Sequence, residues 1–349
     1  MNVELRRFVP ETATKAEFMQ RLEFVNSFKK EERPERPPLS LESLIKDAKS
    51  WPVNKSRILE LWTLKADKKN IGEIVLTIGM TNENRHLIEG EIRVLKEFRR
   101  RGFAKLLLTK GIEIAKEHKR SLWISWTSSR IEAGAKFARK FGAKMALEEN
   151  VNRLELAILD RKLMKAWIEN AKANAAEYEI GFWRNRVPEE DIEAVAKLME
   201  VMNNAPIGKL QIEDETVSPE QIRQWEKSRS MRGIESWLCY VRHRDTKEFA
   251  GFTQVFWTKD SPQTLYQGGT GVLEPHRGHG LGKWLKSAMV ERILEDKPEL
   301  KYIETGNAVS NAPMLAINKA MGFRYYISEQ VWQIEVAKLE ARLAELSKE

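Results

Sequence analysis

The stretch GVLEPHRGHGLGKWLKSAMVERIL, residues 271–294, decides how this chain is read. An apolar strand end, Val272 and Leu273, runs into Arg277-Gly278-His279-Gly280-Leu281-Gly282 and then into an amphipathic helix. Glycines there let the backbone turn tightly and come close to a ligand. The helix that follows presents unpaired N–H groups and the positive end of its dipole. Together these predict a cradle for a pyrophosphate. Spacing narrows the kind of cradle. A dinucleotide fingerprint needs a glycine where this chain has Lys283. A Walker A loop needs four residues where Gly278 and Gly282 enclose three, and it needs Ser or Thr where Trp284 stands. A plain turn does not require three alternating glycines.

Outward from this stretch, the same unit is written a second time. Val9-Pro10-Glu11 recurs as Val187-Pro188-Glu189, and Gly72 as Gly251. Arg99-x-x-Gly102 recurs as Arg277-x-x-Gly280, and Gly142 as Gly322, all at offsets of 178 to 180 residues. Four landmarks in one order, half a chain apart, predict a duplicated domain and not a solenoid. Each copy reads as a short strand (3–8; 178–183), a proline-started helix and a variable helical region with loops. Alternating strands follow (58–65 and 72–78; 236–242 and 249–257). Then come the strand, glycine turn and helix, and a final strand, helix and strand. LDRKLMKAWIENAKANAA joins the halves and VAKLEARLAELSKE closes the chain, both as helices. The expected fold class is mixed α/β, a largely antiparallel sheet with flanking helices in each of two domains, 1–176 and 177–349.

Composition agrees with two folded domains. The chain has 349 residues, 42% of them apolar, enough for two cores. Lys plus Arg is 59 against 51 Asp plus Glu, a net charge of +8. The charges are interspersed and read as solvated helix faces, so nucleic acid is not the expected partner. One cysteine, Cys239, excludes a disulfide framework and a cysteine metal cluster. The charged start MNVELRRFVP does not suit a signal peptide, and no apolar run suits a membrane span. A cytoplasmic enzyme is expected.

The pattern Arg-x-x-Gly-x-Gly at Arg277–Gly282 resembles the acetyl-CoA loop of the GNAT N-acetyltransferases. Arg99–Ala104 fits the permitted Arg-x-x-Gly-x-Ala form. Downstream, KYIETGNA leading into NAPMLAINKAMGF is similar to the second motif of the family, and the combination is similar to tandem-domain members of the mycothiol synthase-like kind. The resemblance implies two tandem GNAT acyl-CoA N-acyltransferase domains. It implies acetyl-CoA as cofactor and a primary amine of a small molecule or peptide as acceptor. Cofactor contacts carry over to Val272, Leu273, Arg277, Gly278, His279, Gly280, Leu281, Gly282 and Asn311. In the first copy they carry over to Val94, Leu95, Arg99, Arg100, Arg101, Gly102, Phe103 and Ala104.

Acyl transfer to an amine needs a proton acceptor, a donor for the oxygen that gains charge, and alignment of the reactants. In many family members a Tyr on the second-motif helix protonates the departing thiolate. That position is Asn318 here and Ala138 in the first copy. Glu304, on the strand before that helix, is the preferred base, acting directly or through water. The first copy offers instead the strand carboxylates Glu89 and Glu91. Asn311 suits an N-cap or a pantetheine contact, where the first copy has Ile131. That asymmetry favours catalysis in the second copy and a structural or cofactor-binding role for the first. His276 and His279 have no third ligand nearby, so no metal site is expected. Cys239 lies in a strand pattern and reads as a core thiol. Two rival functions are an acyl-CoA-binding regulatory or scaffold protein, and an acetyltransferase of ribosomal or nucleic-acid-associated proteins.

Overall fold

The computed structural model describes residues 2–348. The first half of the chain runs through β1 (Val3–Phe8), α1 (Lys15–Glu32), α2 (Leu41–Ser50), β2 (Arg57–Ala66), β3 (Lys69–Gly79), β4 (Leu87–Val94) and α3 (Phe103–Glu117). It continues through β5 (Leu122–Ser128), α4 (Glu132–Lys140), β6 (Lys144–Glu155) and the linking helix α5 (Arg161–Asn174). The second half repeats the order with β7 (Tyr178–Arg184), α6 (Ile192–Met199), α7 (Pro219–Met231), β8 (Ile234–His243), β9 (Phe249–Thr258), β10 (Thr264–Val272) and α8 (Leu281–Asp296). It ends with β11 (Tyr302–Ala308), α9 (Ala312–Met321), β12 (Arg324–Glu335) and α10 (Val336–Glu345).

The chain divides into two compact units, and the division does not follow a single cut at residue 176. The first unit runs to Glu148 and adds Gly208–Glu213 and the chain from Ser328 on. The second is Glu149–Ile207 with Asp214–Ile327. The copies exchange their last strands. In the first unit, Glu329–Glu335 of β12 pairs antiparallel with β5. In the second, the β6 segment from Glu149 to Glu155 pairs antiparallel with β11. The alternation of a strand records which face is buried but not which neighbour it joins. The exchange is therefore invisible in the sequence pattern.

Within the first unit the strands run β1-β2-β3-β4-β5-β12, and within the second β7-β8-β9-β10-β11-β6. All pairs inside each unit are antiparallel except one. β4 and β5 pair in parallel over only Leu87–Glu89 and Leu122–Ile124, and β10 and β11 over Thr264–Gln267 and Tyr302–Thr305. Beyond those residues the two strands part, leaving a fork in each unit. The core of the first unit centres on Ile74, Leu76, Ile88, Leu107, Leu108 and Trp123. That of the second centres on Cys239, Val255, Leu265, Leu285, Met289 and Ile303. In both, the helix after the glycine turn lies against the sheet and fixes the turn at the mouth of the fork.

The helix starts differ from the proline-based expectation. Pro10 and Pro188 lie in the turns before α1 and α6. In the first copy a capping box starts the helix, with the Thr14 hydroxyl accepting from the Glu17 amide and the Glu17 side chain accepting from the Thr14 amide. That box satisfies two orphan donors at once, which a proline at the first position cannot do.

Candidate active site

The two glycine turns have the same backbone. Gly280, at the start of α8, has φ +75°, and Gly102, at the start of α3, has φ +85°. Two residues earlier, Gly278 has φ +88° and Arg100 φ +64°. Gly278 takes this left-handed conformation without strain, whereas Arg100 bears a cost of about 1 kcal/mol. A Cβ built on Gly278, Gly280 or Gly102 meets no atom within 4 Å, so each turn faces open space. The first helical amides beyond the turns have no acceptor inside their own helices. The main-chain cradle is thus present twice and fits the pyrophosphate of a coenzyme A ester.

Side chains make the two cradles electrically different. Arg277 donates from Nε to the Val272 carbonyl at 3.1 Å, and Arg99 donates likewise to the Val94 carbonyl at 2.9 Å. Each bond ties the turn back to its strand. The rest of the Arg99 guanidinium is gripped by both carboxylate oxygens of Glu31 from α1, at 2.7 and 2.6 Å. Arg277 has no carboxylate partner among the described residues. The second cradle keeps its positive charge, and the first has spent it on a bidentate ion pair.

A second difference lies in the strand leading to the turn. Pairing of β10 with β9 jumps from Thr270–Thr253 to Gln267–Val255, so Gly268 and Gly269 together oppose Gln254. This is a β-bulge, which leaves main-chain groups of the longer strand without ladder partners. It is pinned by a buried side-chain cluster in which Gln267 Nε2 donates to the hydroxyls of Thr253 and Thr270, each at 3.1 Å. The two threonine hydroxyls are 2.7 Å apart. In the first unit, β3 and β4 keep an unbroken register from Gly72–Val94 to Thr77–Glu89. That copy fills the corresponding region with charge. Buried Glu73 accepts from Arg93 at 3.2 Å, and Arg93 also donates to Glu91 at 2.7 Å. Glu91 and Glu73 thus share Arg93, with the Glu91 side chain still 42% exposed.

The predicted catalytic positions are both buried. Glu304 is 1% exposed, and its Oε1 accepts from Arg153 Nε and Nη2 at 3.0 and 2.6 Å. The Arg153 guanidinium stacks on the rings of Tyr326 and Tyr302, 3.6 and 4.8 Å from their centroids. Glu304 is thereby held in a buried ion pair. Asn318 is 2% exposed. Its Oδ1 accepts from Lys286 Nζ at 2.6 Å, and its Nδ2 donates to Asn307 Oδ1 at 2.7 Å. Burial pulls the Lys286 ammonium down to about 7. Asn311 caps α9, its Oδ1 accepting from the Met314 amide at 3.4 Å. In the first unit the cap position, Ile131, makes no side-chain bond, and Ala138 packs with Ala135 and Trp332. Cys239 is fully buried, and burial holds its thiol well above the ordinary value, so it is no nucleophile. His276 Nδ1 bonds the Tyr178 hydroxyl at 2.9 Å, steadying the loop, while His279 stays at its exposed tip.

Sequence reasoning missed Lys286, Arg153 and the Gln267–Thr253–Thr270 cluster. For Lys286 a signal existed. The loop offset of 178 aligns it with Leu108, so one copy places a lysine where the other buries a leucine. The other two residue sets depend on strand pairing, which the sequence does not display.

The fold and both loops have the features of an acyl-CoA-binding transferase. The model of the acetyltransferase (GNAT) family matches residues 22–143 and 204–323. The chain belongs to this family and is a tandem GNAT-type N-acetyltransferase. It is similar to a tandem GNAT protein from the clavulanic acid biosynthesis pathway, at 24% identity and TM-score 0.77, over 96% of this chain and 99% of that one. A GCN5-related N-acetyltransferase from Sphaerobacter thermophilus is 14% identical with TM-score 0.62, over 96% of each chain. The glucosamine N-acetyltransferase region of a fungal multi-domain GH3 β-N-acetylglucosaminidase is 12% identical with TM-score 0.63, over 95% of this chain and 38% of that one. Among curated proteins, none matches the chain. No helix among the described residues is long and apolar enough to cross a membrane.

Proposed function

We propose that the chain transfers an acetyl group from acetyl-CoA to a primary amine of a small molecule or peptide, in the cytoplasm, and that the second unit performs the reaction. The observation that carries this reading is the asymmetry of the two forks. The second has an arginine without a carboxylate partner at its cradle and a glycine bulge on its strand. The first has Arg99 clamped by Glu31 and an unbroken ladder. In this reading the amides from Gly278 to Gly282 hold the pyrophosphate, with Arg277 beside it. The thioester supplies an activated acyl group. Bulge amides at Gly268 and Gly269 are the donors available to an oxygen that gains charge. Buried Cys239 offers no thiolate, so the acceptor amine attacks the thioester carbonyl directly; the new C–N bond replaces the C–S bond, and CoA leaves as a thiolate that takes its proton from solvent. In this reading Glu304 is the base that takes the amine's proton, which requires it to release Arg153. The first unit serves as structure.

The rival reading, an acyl-CoA-binding regulator, draws on Asn318, whose amide cannot supply a proton as a tyrosine does. The test is a paired measurement. Gly280→Asp puts a side chain and a negative charge into the second cradle and should abolish CoA binding and turnover over an amine panel. Gly102→Asp should leave turnover intact. Loss with Gly102→Asp alone reverses the assignment. Tight CoA binding without thioester consumption favours the regulator.

A further inference from the structure

Lys286 is a lysine with no anion to explain its burial. It lies on α8, 1% exposed, with Asn318 Oδ1 at 2.6 Å, the Met314 sulfur at 3.9 Å and the Phe323 ring centroid at 5.4 Å. No carboxylate pairs with it among the described residues. An uncompensated buried charge opposes folding, and burial drags this ammonium down to about 7. The duplication supplies an internal control. The matching helix α3 holds Leu108 at this position, 2% exposed, so the fold itself has no need of an amine there.

What the amine does follows from donor and acceptor logic. Its Nζ donates to the oxygen of Asn318 at 2.6 Å, as an ammonium must and as an amine still can. The Asn318 nitrogen then faces Asn307, and only the oxygen of Asn307 can meet it. Asn307 is left with its amide N–H groups unspent, and no acceptor for them occurs among the described residues. Asn307 sits on β11 two residues past Thr305, where parallel pairing with β10 ends. It therefore lines the fork, opposite the strand that carries the Gly268–Gly269 bulge and leads to the phosphate cradle. We infer that Lys286 is a positioning residue whose polarity, passed through Asn318, aims the Asn307 amide N–H groups into the fork as donors to the pantetheine arm of an acyl-CoA. This rests on the acyl-CoA reading above.

The test uses binding, measured by calorimetry, of two ligands to the full chain. One is CoA. The other is its fragment without the arm, adenosine 3′-phosphate 5′-diphosphate. Lys286→Leu copies the first unit and should bind the fragment as the parent does, but CoA about tenfold more weakly, the loss of one net hydrogen bond. Asn318→Asp keeps a partner for Lys286 but cannot donate, so Asn307 must turn its amide round and present its oxygen to the fork. It should show the same selective loss, and it carries the test alone if Lys286→Leu fails to fold. Unchanged CoA affinity in a folded variant overturns the inference, as does equal weakening of CoA and fragment, which would mark a merely structural role. If the parent binds neither ligand, the acyl-CoA reading itself falls.

Discussion

The stability of Lys286→Leu relative to the parent should depend on pH, standing highest in acid and falling toward base. The unfolded chain has its lysines near 10.5, whereas burial pulls Lys286 down to about 7. Between those values the folded state binds fewer protons than the unfolded one, so stability contributed by this group rises with pH. Below about pH 7 both states are charged and the full desolvation penalty is present. Above about pH 10.5 both are neutral and it vanishes. At 1.36 kcal/mol per tenfold change, the gap from 10.5 to about 7 corresponds to about 5 kcal/mol. The stability of Lys286→Leu relative to the parent should fall by about 1.4 kcal/mol for each pH unit between about 7 and 10. Urea unfolding of both proteins across that range measures the difference, and every other titrating group cancels. The packing change from lysine to leucine adds a constant offset, so slope and not height is the diagnostic. A difference that stays flat with pH would refute the claim that Lys286 is buried as an amine without an anion.

Three further outcomes are expected. Arg153→Met removes the ion-pairing guanidinium beside a carboxylate that is 1% exposed, and should cost about 3 kcal/mol in thermal or denaturant unfolding. Glu304→Gln should lower the transfer rate most at low pH, where an unaided amine is most protonated, and recover partly as pH rises; a uniform loss at all pH values would assign Glu304 to structure alone. In a Gly280→Asp background, Glu31→Gln should free Arg99 and produce measurable CoA binding in the first cradle. Continued absence of binding there would show that ion pairing is not what silences that copy.

The fold was legible because its marks are local. Glycines at 102 and 280 take positive φ at the two helix starts where the repeat aligns them, and the strands expected at 3–8 and 249–257 are present with ends shifted by at most one residue. Asn311 was recognisable as a cap from its place before a helix. The site was legible only where a motif marks it. Glu304 carries no local sign of its tie to Arg153, which lies 151 residues away and meets it through antiparallel pairing of β6 with β11. Glu91 has the composition of a base but is bound to Arg93 on its own strand. The bulge at Gly268–Gly269 is suggested by two adjacent glycines, yet only the register of β9 shows that they oppose one residue.

The exchange of last strands ties each half of the chain to the other in time as well as in space. The first unit draws Val336 and Leu339 into the same core as Leu107 and Leu108, and its β5 waits for Glu329–Glu335 as partner. On a ribosome this unit, begun first, is completed last: its apolar face stays uncovered through synthesis of the whole second half. The second unit needs the β6 segment from Glu149 to Glu155, made before it, and can close once β11, α9 and Phe323 have emerged, before Ser328 begins the returning stretch. Order of synthesis and order of completion are thus inverted, and a premature stop near the C-terminus injures the N-terminal copy first.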